Sequence, residues 1–137
     1  MEFEYDIVGG DFSKAGFASS HLKKILKQIN IESKLIKRIV IALYEAEVNI
    51  VAHAYEGIIK VWIEPGQIII NVKDKGPGID DIDKAMEDGY STASEEVREM
   101  GFGAGMGLSN IRSNADDLEI TSTVNEGTEL RIVTKLS

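Results

Sequence analysis

The sequence predicts an α+β fold: a two-layer sandwich, with three helices on one face of a mainly antiparallel mixed sheet of about five strands. Three observations carry that expectation. β-Branched runs come in adjacent pairs divided by short turns, at Pro65-Gly66 and at Asn125 to Gly127, as hairpins do. Two amphipathic helical stretches stand together before the first pair instead of alternating with single strands. The resulting order is strand, two helices, hairpin, irregular stretch, helix, hairpin, which is not a doubly wound Rossmann pattern.

The elements follow in order. EFEYDIV, from Glu2 to Val8, alternates and stops at Gly9-Gly10, which reads as an edge strand. Asp11 or Ser13 is suited to cap a helix running to about Asn30, with Phe17, Leu22, Ile25 and Leu26 as its apolar stripe. A longer helix is expected from about Glu32 to Tyr55. At 100° per residue its Ile36, Ile39, Val40, Leu43, Ile50 and Ala54 share one arc, with Glu45, Asn49, Ala52 and His53 opposite. Glu47 falls inside the apolar arc, where a helix end or a second helix must offer it a partner. IKVWIEPGQIIINV then forms a hairpin, GLSNIRSNADD has helical composition, and LEITSTVNEGTELRIVTKL forms a second hairpin.

Composition bounds the function. A chain of 137 residues is expected to be one domain, 1–137, burying roughly two-thirds of its unfolded surface. It contains no cysteine, which excludes disulfides and thiolate metal sites. The formal charge of −8 opposes direct association with nucleic acid or an anionic membrane. HLKKILKQ and SKLIKR collect basic residues at spacings that suit exposed helix faces. No window approaches the ~20 apolar residues that span a bilayer, and MEFEYDIV is acidic where a secretory signal is basic, so a soluble cytoplasmic protein is expected.

Three stretches carry candidate chemistry. Glu45 and Asn49 stack one helical turn apart; that spacing also suits a surface pair, but the surrounding IALYEAEVNIVAHAY is too apolar for a solvated face. In VKDKGPGID, Asp74 ends the Ile68 to Val72 run and precedes Gly76, Pro77 and Gly78, which serve either a tight turn or close approach of a ligand to the backbone. GFGAGMGLSNI places glycines at 101, 103, 105 and 107 ahead of a helix starting at about Gly107. It matches neither the dinucleotide fingerprint nor a Walker loop. It leaves a flexible loop or, at the helix N-terminus, an anion site, and the preceding DGYSTASEEVREM suits a mobile lid.

Taken together and in this order, the motifs resemble the ATPase superfamily of gyrase, the heat-shock chaperone, histidine kinases and the mismatch-repair ATPase, the GHKL or Bergerat fold. EAEVN is similar to its N box, DKGPGI to its first glycine box, GFGAGMGL to its second and EGT to its final strand entry. The resemblance covers nearly the whole chain and is closest to the stand-alone anti-sigma-factor serine kinases of bacteria; AMEDGYST and GLSNIRS are also similar to the switch kinases of stress signalling.

That resemblance implies ATP and Mg²⁺ as cofactors. Asp74 is then the acceptor for the adenine amine, Gly76 and Gly78 leave room for the purine, and Thr128 completes the pocket. Asn49 reaches Mg²⁺, and Gly103, Gly105 and Gly107 wrap the phosphates. Ile79, Met106, Leu108 and His53 belong to the same nucleotide-binding set. Glu45 is the implied general base, directing a partner's hydroxyl at the γ-phosphate. The implied function is a serine/threonine protein kinase that phosphorylates or sequesters a STAS-domain antagonist or a sigma factor, as a homodimer meeting through the N-terminal strand and first helix. Two rivals stand beside it. EMGFGAGMG lacks the basic residue that relatives often carry there, Arg98 being nearest, which favours a nucleotide-gated binding module without transfer. The other rival is the catalytic half of a split histidine kinase.

Overall fold

The computed structural model describes residues 1–79, 81–86 and 107–136. Five strands, β1 (Glu2–Val8), β2 (Glu56–Glu64), β3 (Gln67–Lys75), β4 (Asp117–Thr123) and β5 (Gly127–Lys135), form one sheet in the order β1-β2-β3-β5-β4. Helices α1 (Phe17–Gln28), α2 (Ser33–His53) and α4 (Gly107–Ser113) contribute to the core on one side of it, and α3 (Ile82–Ala85) is a single turn. Each pairing is antiparallel, so the sheet is antiparallel where the sequence left room for a mixed one. β1 is an edge strand, as its isolation before the helices predicts.

Register and the two-residue period of strands decide which residues meet the helices. Tyr5, Ile59, Val72, Leu130 and Ile120 lie across the sheet from one another, and Phe3, Val61, Ile70, Ile132 and Leu118 form the next rung. Onto these rungs pack Leu22 and Leu26 of α1, Ile39, Leu43 and Ile50 of α2, and Ile111 of α4, all fully buried. Each such burial contributes about 1.5–3 kcal/mol. One rung further toward Gly76 the same face turns polar. Ile7 stands opposite Gly57, Gly57 opposite Asp74, and Ser122 opposite Thr128. The inner face therefore ends in a polar cluster beside the last turns of α2.

Two expectations from the sequence change. Asp11 and Ser13 do not cap α1: Ser13 donates to Asp11 Oδ1 at 2.6 Å, and a short 3₁₀ turn (Phe12–Lys14) intervenes. The helix starts at Phe17, after Gly16 at φ 94°, and its orphan N–H groups at Ala18 and Ser19 donate to the two Glu47 oxygens at 3.0 and 3.2 Å. Glu47 is 0% exposed, so the partner for the charged residue in the apolar arc is the positive end of a second helix. The second change concerns α2, which is buried more widely than its apolar arc: Ala46, Val48 and Val51 are also buried. Neighbouring α1 and α4 flank the helix while the sheet lies beneath it.

Peripheral ties complete the frame. Asp116 accepts from the Lys135 N–H at 2.6 Å and from Arg38 at 3.3 Å, pinning α2 to β5; these contacts hold its carboxyl below the usual value, the Lys135 N–H most strongly. The Tyr5 hydroxyl lies 2.7 Å from His21 Nδ1, joining β1 to α1, and burial, then the Glu47 charge, pushes its phenol pKa up. Lys23, Lys24, Lys27, Lys34 and Lys37 are exposed, as helix-face spacing predicts. No helix among the described residues is long and apolar enough to cross a membrane.

Candidate functional site

The polar end of the inner face is built from three directions. From α2 come Glu45, Asn49 and His53, each four residues apart and each half-buried. The first turn of α4 packs against this stripe. Asn110 Nδ2 donates to Glu45 Oε1 at 3.3 Å, and a Cβ at Gly107 would lie 2.8 Å from Asn49 Oδ1. Glycine at 107 is what lets the helix start so close to the Asn49 carboxamide. Leu108 is nearly buried and packs into the core from the same turn.

From the sheet comes Asp74, which lies inside β3 rather than after its end, on the helix-facing side. Its Oδ1 accepts the Thr128 N–H at 3.1 Å. Burial pushes the Asp74 carboxyl pKa up, and the Thr128 N–H opposes that rise in part. Among the described residues no ion pair reaches it. Gly127, at φ 151°, approaches the Asp74 carbonyl so closely that a Cβ would overlap it, and its ideal Cβ position is 3.2 Å from Asp74 Oδ1. The EGT motif thus seats the turn of the last hairpin directly on Asp74.

From the loop after β3 come Gly76, Gly78 and Ile79. The space a Cβ would take at Gly76 is bounded by Ala54 of the α2 C-terminus, with Cα at 3.0 Å, and at Gly78, φ 74°, it is filled by the Thr123 carbonyl. These glycines therefore admit the protein's own backbone on the side a Cβ would take. Gly76 donates to the Glu126 carbonyl at 3.2 Å, and the Pro77 carbonyl accepts from Asn125 at 2.8 Å. Ile79 donates its N–H to Ser122 Oγ at 2.8 Å.

The described chain thus gathers Glu45, Asn49, Gly107 and Leu108 at the α2–α4 contact, and Asp74, Gly76, Gly78, Ile79 and Thr128 at the β3–β5 end. Ile50, next to Asn49, lies against Gly57, whose register partner is Asp74, and so links the two groups. Gly103, Gly105, Met106 and Arg98 lie outside the described residues. Ser122, Asn110 and Gly57 were not singled out from sequence. Ser122 was findable: it follows Leu118 and Ile120 at inward positions, where packing alone favours an apolar side chain. Gly57 interrupts a strand pattern, which marks a close approach.

For a metal, the described residues contain no group of three His, Asp or Glu side chains placed to hold an ion. The donors at hand are hard oxygens, the Asn49 carboxamide and the Glu45 carboxylate one turn apart. That set suits Mg²⁺, which takes few protein ligands and keeps water and phosphate oxygens.

Comparison with known proteins defines the class. Residues 14–134 match the histidine kinase-like ATPase domain family, and the chain belongs to it. Within that family it is of the anti-sigma kinase type. It is 37% identical over 121 residues to the anti-sigma F factor of Thermoanaerobacter sp. (strain X514), covering 85% of this chain and 81% of that one. It is 31% identical over 115 residues to the serine/threonine-protein kinase RsbT of Bacillus subtilis, covering 81% and 80%. The crystal structure of the RsbU and RsbW domains from Mycobacterium tuberculosis superposes with a TM-score of 0.67 at 16% identity, over 99% of this chain and 32% of that one, which establishes likeness of fold.

Proposed function

We propose that the chain is an Mg-ATP-dependent protein serine/threonine kinase, a single cytoplasmic domain over residues 1–137 that phosphorylates or sequesters a small regulatory protein. The observation that carries the reading is Asp74, a carboxylate held half-buried on the inner sheet face, with the Thr128 N–H on one oxygen and, among the described residues, no ion pair. Such a group calls for a further donor. The exocyclic amine of adenine supplies one, whereas guanine presents a carbonyl at the same place. Thr128 completes that end, and Ile79 borders it. Asn49 would hold the magnesium ion through its carboxamide oxygen, and the ion would offset the charge of the phosphates. Gly103, Gly105 and Gly107 offer backbone N–H groups to the phosphates, flanked by Met106 and Leu108, and His53 continues the α2 stripe toward Gly76 at the base end; for Gly103, Gly105 and Met106 this rests on the resemblance.

Glu45 is the base in this reading. Its carboxylate orients a serine or threonine hydroxyl of the partner, takes the proton as the oxygen bonds to the γ-phosphorus, and ADP leaves with the electrons of the broken bond. The name of one relative, an anti-sigma F factor, supports a sigma factor as that partner, and that of another, a serine/threonine kinase, supports the transfer; a STAS-domain antagonist as the partner rests on the resemblance. A homodimer through β1 and α1 completes the proposal.

Transfer of labelled γ-phosphate to candidate antagonists and sigma factors tests it. Glu45→Gln is expected to slow transfer by about 10²–10⁴-fold while Mg-ATP affinity holds. An unchanged rate removes Glu45 from the mechanism. ATP binding with every partner unlabelled would leave the nucleotide-gated binding module in its place.

A further inference from the structure

We infer that Ser122 sets the purine selectivity of the proposed nucleotide site by fixing the Thr128 hydroxyl as a hydrogen-bond acceptor. The inference rests on the adenine-reading role proposed for Asp74 and adds a residue to it. Ser122 Oγ accepts the Ile79 N–H at 2.8 Å, lies 3.1 Å from the Gly127 carbonyl oxygen and stands 2.9 Å from Thr128 Oγ1.

Proton counting then fixes the pattern. A serine hydroxyl has one proton and two lone pairs. The Gly127 carbonyl can only accept, so it takes the Ser122 proton; the Ile79 N–H can only donate, so it takes one lone pair. The remaining lone pair receives the Thr128 proton. Thr128 Oγ1 is left with lone pairs alone, on the residue whose own N–H donates to the Asp74 carboxylate, itself an acceptor. Two fixed acceptors on the neighbouring strands β3 and β5 favour a purine with an amino group at position 6 and oppose one with a carbonyl there, because the mismatch leaves buried acceptors facing each other. Without the Ser122 hydroxyl, Thr128 turns freely and can donate to a 6-carbonyl, so one of the two oppositions disappears. The same bond to Ile79 ties the loop after β3 to β4, which makes Ser122 a positioning residue acting through Thr128.

ATP and inosine triphosphate differ at this position, and their dissociation constants, measured by calorimetry at fixed magnesium, read the effect. The wild-type protein is expected to prefer ATP, and Ser122→Ala to reduce the preference about fivefold. Ser122→Thr, which keeps the hydroxyl, restores it. In a Thr128→Val background, Ser122→Ala changes the ratio no further, because no hydroxyl remains to be oriented. Ser122→Cys, close in size but weak in hydrogen bonding, reads the same loss if the alanine variant does not fold. A purely structural role weakens both nucleotides alike and leaves the ratio standing, and that result in folded Ser122→Ala overturns the inference alone. A wild-type ratio near one overturns the role of Asp74, and this inference with it.

Discussion

Replacing Glu47 strikes the one fully buried carboxylate among the described residues, and the cost follows from its contacts. Glu47→Ala strands the Ala18 and Ser19 N–H groups, now 3.0 and 3.2 Å from its oxygens. Each stranded buried donor costs about 1–3 kcal/mol. Loss of the charge at the positive end of α1 adds about 0.3–1 kcal/mol. The variant also recovers the desolvation of a buried carboxylate, so the expected net loss is about 3 kcal/mol. Glu47→Gln keeps one acceptor and turns an amide N–H₂ toward the other donor, for a loss of about 2 kcal/mol. For a chain of this length 1 kcal/mol moves the midpoint of thermal unfolding by about 3–4 °C, so the shifts are about 10 and 7 °C. Urea unfolding followed by circular dichroism, with the slope unchanged, measures both free energies. A glutamine variant within about 0.5 kcal/mol of wild type would refute the reasoning, since α1 would then keep its cap without the carboxylate.

Other outcomes separate function from stability. Asp74 has a raised folded pKa, so its contribution to stability is full below the ordinary value of 3.8 and is lost as pH climbs through the folded value. Asp74→Asn removes that loss and keeps an oxygen for the Thr128 N–H; the nucleotide-free variant is expected to be at least as stable as wild type at pH 7 in urea, yet to lose ATP affinity about tenfold or more by calorimetry. Destabilisation together with unchanged affinity would make Asp74 a structural residue. Asp116 has the opposite sign: its folded pKa is depressed, so its contribution is present above 3.8 and disappears as pH falls through the folded value. Asp116→Ala is expected to cost about 0.5–1 kcal/mol at pH 7, discounted for its partial exposure, and less as the pH falls through the folded value; a loss that persists undiminished in acid would assign the effect to packing.

How far the sequence reached can be judged residue by residue. The two hairpins, the edge strand and the long helix were legible because each depends on a short-range period and a turn signal. Asp74 is a candidate from its place between an isoleucine run and two glycines, which a tight turn explains equally well, and its role comes from the resemblance. Its exact place was not legible: the strand continues to Lys75, and the hydrogen bond to Thr128 joins residues far apart in the chain. The start of α1 was misread for the same kind of reason. Asp11 and Ser13 are sound local caps, but the acceptor that won, Glu47, arrives from α2.

By itself the sequence determined the α+β class, the order of elements and the motifs that mark an ATP-binding family, since these are written in periods of two and 3.6 residues and in residue types at short spacing. The tertiary structure decided which polar groups meet. It set Gly57 and Thr128 beside Asp74, brought Gly107 and Asn110 onto Asn49 and Glu45, and gave the Ser122 hydroxyl its three neighbours. The physical reason is that hydrogen bonds and steric contacts act over about 3 Å, while the residues that make them stand tens of positions apart. Only strand register and helix packing bring them within that range.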